Sequence, residues 1–242
     1  MLGAAKHRPT MRQIPDWLPY FAPMIAFALV LQAGEYLPPS AALASMTMRV
    51  LVPLAVFVYF LRLGSYPELK GFSLTGWNLA DVAVGLGVAA LWMTPYLLWP
   101  NLRPDDPSDA FNPAAAGEGL RTTMLALRFA GFVLVTPFIE ELLVRSYLLR
   151  EAEVYNSDQS FRSIPVGTFA WTGFLVTVVW FTFTHVQWEW PVAAATGVIY
   201  NLWLYQRRHI GALILTHAVT NAALFAAVLW ADRTGRDWWF FL

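Results

Sequence analysis

An all-α bundle of about seven membrane-spanning helices is the fold class this sequence predicts, and three observations predict it. Of its 242 residues, 57% are hydrophobic and only 13% charged, where an ordinary soluble domain carries roughly 25% charged residues. A soluble fold of this size would lack the polar surface needed to stay dispersed. Apolar stretches recur along the chain, separated by Pro, Gly and charge, at lengths near the ~20 residues that cross a bilayer as a helix. Twelve Trp, nine Tyr and seventeen Phe supply rings of the kind that collect at membrane edges.

The predicted spans are 17–37, 43–61, 79–99, 122–149, 166–187, 191–206 and 210–231. Lys6, Arg8 and Arg12 ahead of the first run, with Ala42-Leu43-Ala44 after it, have the outline of a signal peptide. The run from Trp17 to Leu37 is too long for a signal core, so it reads as a retained first span. The sixth span is short and calls for shielding by its neighbours. The turn-rich acidic stretch 101–119, with Asp105, Asp106 and Asp109, reads as a loop. The whole chain, 1–242, reads as one membrane domain.

Basic residues orient it. With the N-terminal segment 1–16 cytoplasmic, that side receives Lys6, Arg8, Arg12, Arg62, Lys70, Arg145, Arg150, Arg162, Arg207 and Arg208, against Arg103, Arg121, Arg233 and Arg236 on the other. A net charge of zero gives no pull toward nucleic acid. The absence of cysteine excludes disulfides, thiolate metal sites and a cysteine nucleophile.

Ionisable residues within spans mark candidate chemistry, because their burial in lipid is costly. The fourth span carries Glu140, Glu141 and Arg145. Glu141 and Arg145, four apart, share a helical face and can pair. Glu140 points about 100° away, with no local partner. Burial raises the pKa of such a carboxyl and suits it to general-base work. Pro137 removes one helical hydrogen bond just upstream. A structural Glu–Arg pair is the plain alternative. Phe181 and His185 share a face near the end of the fifth span, where the imidazole either enters a cavity walled by the ring or anchors the helix beside Trp188 and Trp190. His217 and Asn221, four apart on the seventh span, are two convergent donors suited to an oxyanion, or an interhelical clamp. Glu35, Arg49, Asp81 and Arg128 read as interfacial anchors, and His7 and His209 as solvated.

Taken together, Glu-Glu-x-x-x-Arg (140–145), Phe-x-x-x-His (181–185) and His-x-x-x-Asn (217–221), in that order, resemble the CPBP family, which groups type II CAAX prenyl endopeptidases with bacteriocin-processing proteins. The resemblance covers roughly residues 120–230. Pro137 to Glu141, Arg145 to Arg150 and Asn201 to Tyr205 further resemble a bacterial subgroup, the CAAX prenyl protease-related proteins that accompany exosortase and PEP-CTERM sorting. Many relatives carry Gly where this chain has Ser146, which fits the subgroup and weakens the expectation of a prenylated substrate.

The resemblance implies a multi-pass protein of the bacterial inner membrane, an intramembrane glutamyl endopeptidase acting on a membrane protein or peptide, lipidated or not. Glu140 and His185 would activate a water, His217 and Asn221 would hold the oxyanion, and Glu141, Arg145 and Phe181 would support the geometry. No cofactor is expected. The alternative is zinc on Glu140, His185 and His217, although HExxH is absent. Helical rise puts Glu140 about 15 Å from Arg150 and His217 about 14 Å from Arg208, which suggests approach from the cytoplasmic side. His185 then sits too deep unless its span tilts or is displaced outward.

Overall fold

In a computed structural model, residues 14–104 and 110–242 are described. Lys6, His7, Arg8, Arg12, Asp105, Asp106 and Asp109 lie outside them. The described residues form helices and no strands. Seven long helices alternate in direction: α1 Leu18–Gly34, α2 Ala42–Arg62, α3 Asn78–Leu98, α4 Glu118–Val154, α5 Trp171–Phe183, α6 Trp190–Arg207 and α7 Ile210–Arg233. Four of them, α2, α3, α4 and α7, are long and apolar enough to cross a bilayer by themselves. The protein is an integral membrane helix bundle.

Proline recurs inside α1 (Pro23), α2 (Pro53) and α3 (Pro95), which membrane helices tolerate because neighbours re-satisfy the freed backbone groups. Helix α4 departs most from regularity. It opens with a 3-10 turn and widens to π geometry at Ala130–Val135 and again at Leu142–Leu148. The first π segment has a local cause. The Thr136 N–H bonds back to Gly131, so the next bond in that register would need an N–H at Pro137, which has none. The Phe132 carbonyl is thereby left free, and Asn221 Nδ2 of α7 donates to it at 2.7 Å.

Helix α7 is the central element, with a buried face running from Ile210 to Ala231. Small residues set its contact with α3. A methyl placed on Gly85 would stand 2.5 Å from the Thr216 carbonyl oxygen and 2.9 Å from Val219, and Thr220 Oγ1 donates to the Gly85 carbonyl at 3.0 Å. Close backbone approach of this kind stands in for hydrophobic driving force between helices in lipid. We expect Gly85→Ala to lower stability by about 1–3 kcal/mol through overpacking, read as an earlier midpoint in thermal unfolding of the detergent-solubilised protein.

Asp81 is not an interfacial anchor. It is fully buried and accepts from Arg207 Nε at 2.8 Å, Arg207 Nη2 at 3.1 Å, Trp203 Nε1 at 3.0 Å and Asn78 Nδ2 at 2.8 Å. It locks the start of α3 to the end of α6, where a charge is stable because every lone pair is met. Glu35, by contrast, stays exposed at the end of α1. His209 is not simply solvated either: its Nδ1 accepts from the Gly211 N–H at 3.0 Å and caps α7. At the same end, Glu68 gathers Tyr20, Ser146, Arg150 and Arg162. The Ser146 hydroxyl bonds both Glu68 and Arg150, a role glycine could not fill.

Candidate active site

Helix α5 decides where His185 stands. Its 13 residues rise about 20 Å, short of a full crossing, and it begins at Trp171 rather than 166. Gly173 packs against the Leu149 carbonyl of α4, and Phe181 faces Arg145, whose guanidinium carbon is 4.3 Å from the ring centre. This antiparallel register carries His185, just past the helix end, level with the turn of α4 that holds Glu140. The short helix and its register on α4 thus bring His185 level without an outward displacement.

Glu140, Phe181, His185, His217 and Asn221 line one cavity of about 380 Å³. Three separate helices deliver them, together with the turn after α5. The cavity is walled by Pro104 and Ala110, Trp188 and Glu189, and Phe240 to Leu242. All of these sit at the end of the bundle where α3 finishes and α4 begins. Approach from the end holding Arg150 and Arg208, expected from spacing, is not what this cavity offers.

Each side chain's hydrogen bonding sets what it can do. His185 Nδ1 lies 2.6 Å from the Phe181 carbonyl oxygen. A carbonyl only accepts, so Nδ1 carries the hydrogen and Nε2 is left with a lone pair. The ring is held by Phe181 at 4.5 Å and Trp92 at 5.4 Å between centroids. The Glu140 carboxylate has no hydrogen bond from a described residue, and it lines the same cavity as His185.

His217 bonds not Glu140 but Glu141, Nδ1 to Oε1 at 2.7 Å. Glu141 and Arg145 are fully buried behind the cavity wall, 3.4 Å apart. Arg145 Nε reaches Asn201 Oδ1 at 3.4 Å, and its guanidinium packs against the Phe181 and Tyr200 rings. Asn201 in turn donates to Thr177 Oγ1 at 2.8 Å. The chain His217–Glu141–Arg145–Asn201–Thr177 thus joins α7, α4, α6 and α5. It presents His217 Nε2 to the cavity, while Asn221 gives one amide hydrogen to Phe132 and keeps the other.

Several lining residues escape the sequence reading. Thr196 and Tyr200, one turn apart on α6, and Thr220 on α7 line the cavity, and the Tyr200 hydroxyl donates to Thr220 Oγ1 at 2.8 Å. Polar residues at i and i+4 in an otherwise apolar span were the available signal. Arg128 and Glu189 also line it, so Arg128 is not an interfacial anchor. Glu189 stands in the turn between α5 and α6. Burial pushes its carboxyl up to about 7, against the Val186 N–H and the Arg128 charge, which pull it down.

No three His, Asp or Glu residues among those described are grouped so that they could hold a metal ion. The donor set Glu140, His185 and His217 shares a cavity without forming such a cluster.

Fold and site together define an integral membrane helix bundle with acid, imidazole and amide groups converging on an internal cavity. Within that class, residues 122–223 match the family model described as type II CAAX prenyl endopeptidase Rce1-like. The match includes all four cavity residues Glu140, His185, His217 and Asn221, and begins after α3. No curated protein and no solved structure matches the chain.

Proposed function

We propose that this protein is an intramembrane endopeptidase of the CAAX-protease kind, hydrolysing a peptide bond with water activated by Glu140 and His185. One observation carries the reading: Glu140, His185, His217 and Asn221, far apart in sequence, line a single cavity. A water has two hydrogens, and the site offers two acceptors, the Glu140 carboxylate and His185 Nε2. Held between them, the water turns a lone pair toward a substrate carbonyl carbon. Glu140 takes one proton as the C–O bond forms and delivers it to the leaving amine nitrogen as the C–N bond breaks. The oxyanion is met by the second Asn221 amide hydrogen and by His217, which donates through Nε2 when Glu141 supports its imidazolium.

The substrate is a membrane-associated protein or peptide, lipidated or not. The bacterial inner membrane with a cytoplasmic N-terminus, and association with exosortase sorting, belong to the same proposal. Zinc on Glu140, His185 and His217 is the alternative source of an activated water. A non-catalytic scaffold is the second functional reading, and one observation favours it: Asn221, His217 and Glu141 each already tie α7 to α4. Comparing membrane proteomes of cells carrying wild type or Glu140→Ala separates the two. The proposal expects at least one membrane protein whose fragment appears only with wild type; no difference across well-covered membrane proteins would favour the scaffold.

A further inference from the structure

His185, His217 and Asn221 reach the cavity, and each is aimed by one acceptor. His185 Nδ1 bonds the Phe181 carbonyl at 2.6 Å, His217 Nδ1 the Glu141 carboxylate at 2.7 Å, and Asn221 Nδ2 the Phe132 carbonyl at 2.7 Å. Two of these acceptors need no special provision. Glu141 uses a side-chain oxygen. Phe181 lies in the last turn of α5, where helical carbonyls lack an N–H ahead of them. Phe132 stands in the middle of α4, where a carbonyl is ordinarily bonded along the helix axis.

Two backbone N–H groups of the widened helix could occupy that carbonyl, residue 136 in α geometry or residue 137 in π geometry. The Thr136 N–H goes to Gly131 instead. Pro137 has no N–H to give. The Phe132 carbonyl is thus free to turn toward α7, whereas an N–H at position 137 would draw it back along the α4 axis. Its freedom has a chemical consequence at Asn221. An amide side chain carries an oxygen and a nitrogen of nearly equal size, and shape alone does not choose between them. A carbonyl only accepts, so it selects the nitrogen. With the nitrogen held, Asn221 offers a hydrogen to an oxyanion; reversed, it would offer Oδ1, which repels one.

We propose that Pro137 is a positioning residue for the oxyanion site: by withholding an N–H from α4 it keeps the Phe132 carbonyl for Asn221 and so fixes which end of the amide meets the substrate. This inference rests on the peptidase reading, and Pro137 acts in it only through Asn221.

The test is a double-variant cycle on the purified full chain in detergent, with a fluorogenic peptide as substrate. Asn221→Ala should lower kcat by about 10²- to 10³-fold, the usual cost of one oxyanion donor. Pro137→Ala should lower kcat by about 10-fold and hold KM within about twofold, the pattern of an interaction made in the transition state. It should also unfold no earlier than wild type, because alanine returns a hydrogen-bond donor to the helix. In the Asn221→Ala background the same replacement should cost nothing further. Losses that multiply would show that Pro137 acts on Glu140 or on the fold, and would overturn the inference. A kcat in Pro137→Ala equal to wild type would also overturn it, since the new N–H would then leave Phe132 free.

A second measurement does not depend on cleavage. In protein labelled with ¹⁵N-asparagine, the Asn221 side-chain signals, assigned by their loss in Asn221→Ala, should shift in Pro137→Ala as the bond to Phe132 is lost. Such a shift in a protein whose wild type cleaves nothing would count against the peptidase reading alone and leave the link between Pro137 and Asn221 standing. Unchanged Asn221 signals would overturn the link whatever the activity.

Discussion

Replacing Glu140 by Gln should reduce peptide hydrolysis by about 10³- to 10⁴-fold while leaving the fold intact, toward the upper end of what a general base contributes. The fold survives because Glu140 holds nothing in place: no described residue hydrogen-bonds its carboxylate, and it faces a cavity. The rate collapses because glutamine cannot take a proton from the water or return one to the leaving nitrogen. Substrate affinity should change little, since the isosteric amide still fills the space. Single-turnover cleavage of a saturating peptide, followed by mass spectrometry alongside a thermal unfolding curve, separates the two quantities. A variant that loses its activity only because it has lost its fold would refute this account of Glu140.

Arg145→Leu should act in the opposite sense, on stability first. Arg145 and Glu141 are both fully buried, and Glu141 Oε2 already lacks a partner. Removing the guanidinium leaves a buried carboxylate supported by His217 alone. Breaking one side of a buried pair costs about 3–5 kcal/mol. Arg145→Lys should recover little of it, because a point charge cannot pack against the Phe181 and Tyr200 rings as a planar guanidinium does while reaching both Glu141 and Asn201. The double variant Glu141→Gln, Arg145→Leu should be more stable than Arg145→Leu alone, since no orphaned charge remains. Denaturant or thermal midpoints of these proteins, and of Glu141→Gln alone, in one detergent measure this. Additive losses in the double variant would show that the two residues are not energetically coupled.

Much of this architecture is legible in the sequence because lipid imposes a strict rule: backbone groups must pair internally, so long apolar runs become helices. Seven runs give seven helices, with ends within a few residues except for α4, which starts four residues before and ends five after 122–149, and α5. In α5 the sequence 166–187 is apolar enough to read as one span, and nothing local announces that the helix runs only from Trp171 to Phe183. The pairing of Glu141 with Arg145 follows from their spacing of four. The bond between His217 and Glu141 does not, because it depends on how α7 rotates against α4. Asp81 was misread for a related reason. A carboxylate one turn into a span looks like an anchor until Arg207 and Trp203, more than 120 residues later, are seen to meet it. The direction of approach was likewise beyond spacing, since it is set by the turn after α5, residues 104 and 110, and the segment 240–242.

The central claim is that a water held by Glu140 and His185 cuts a peptide bond, and isotope incorporation tests it most directly. Chelator-washed wild-type protein in liposomes should release, in H₂¹⁸O, a product whose new carboxyl group carries one heavy oxygen, and Glu140→Gln should release none above background. Absence of any new carboxyl terminus with the wild type, or equal yields from both proteins, would contradict the claim.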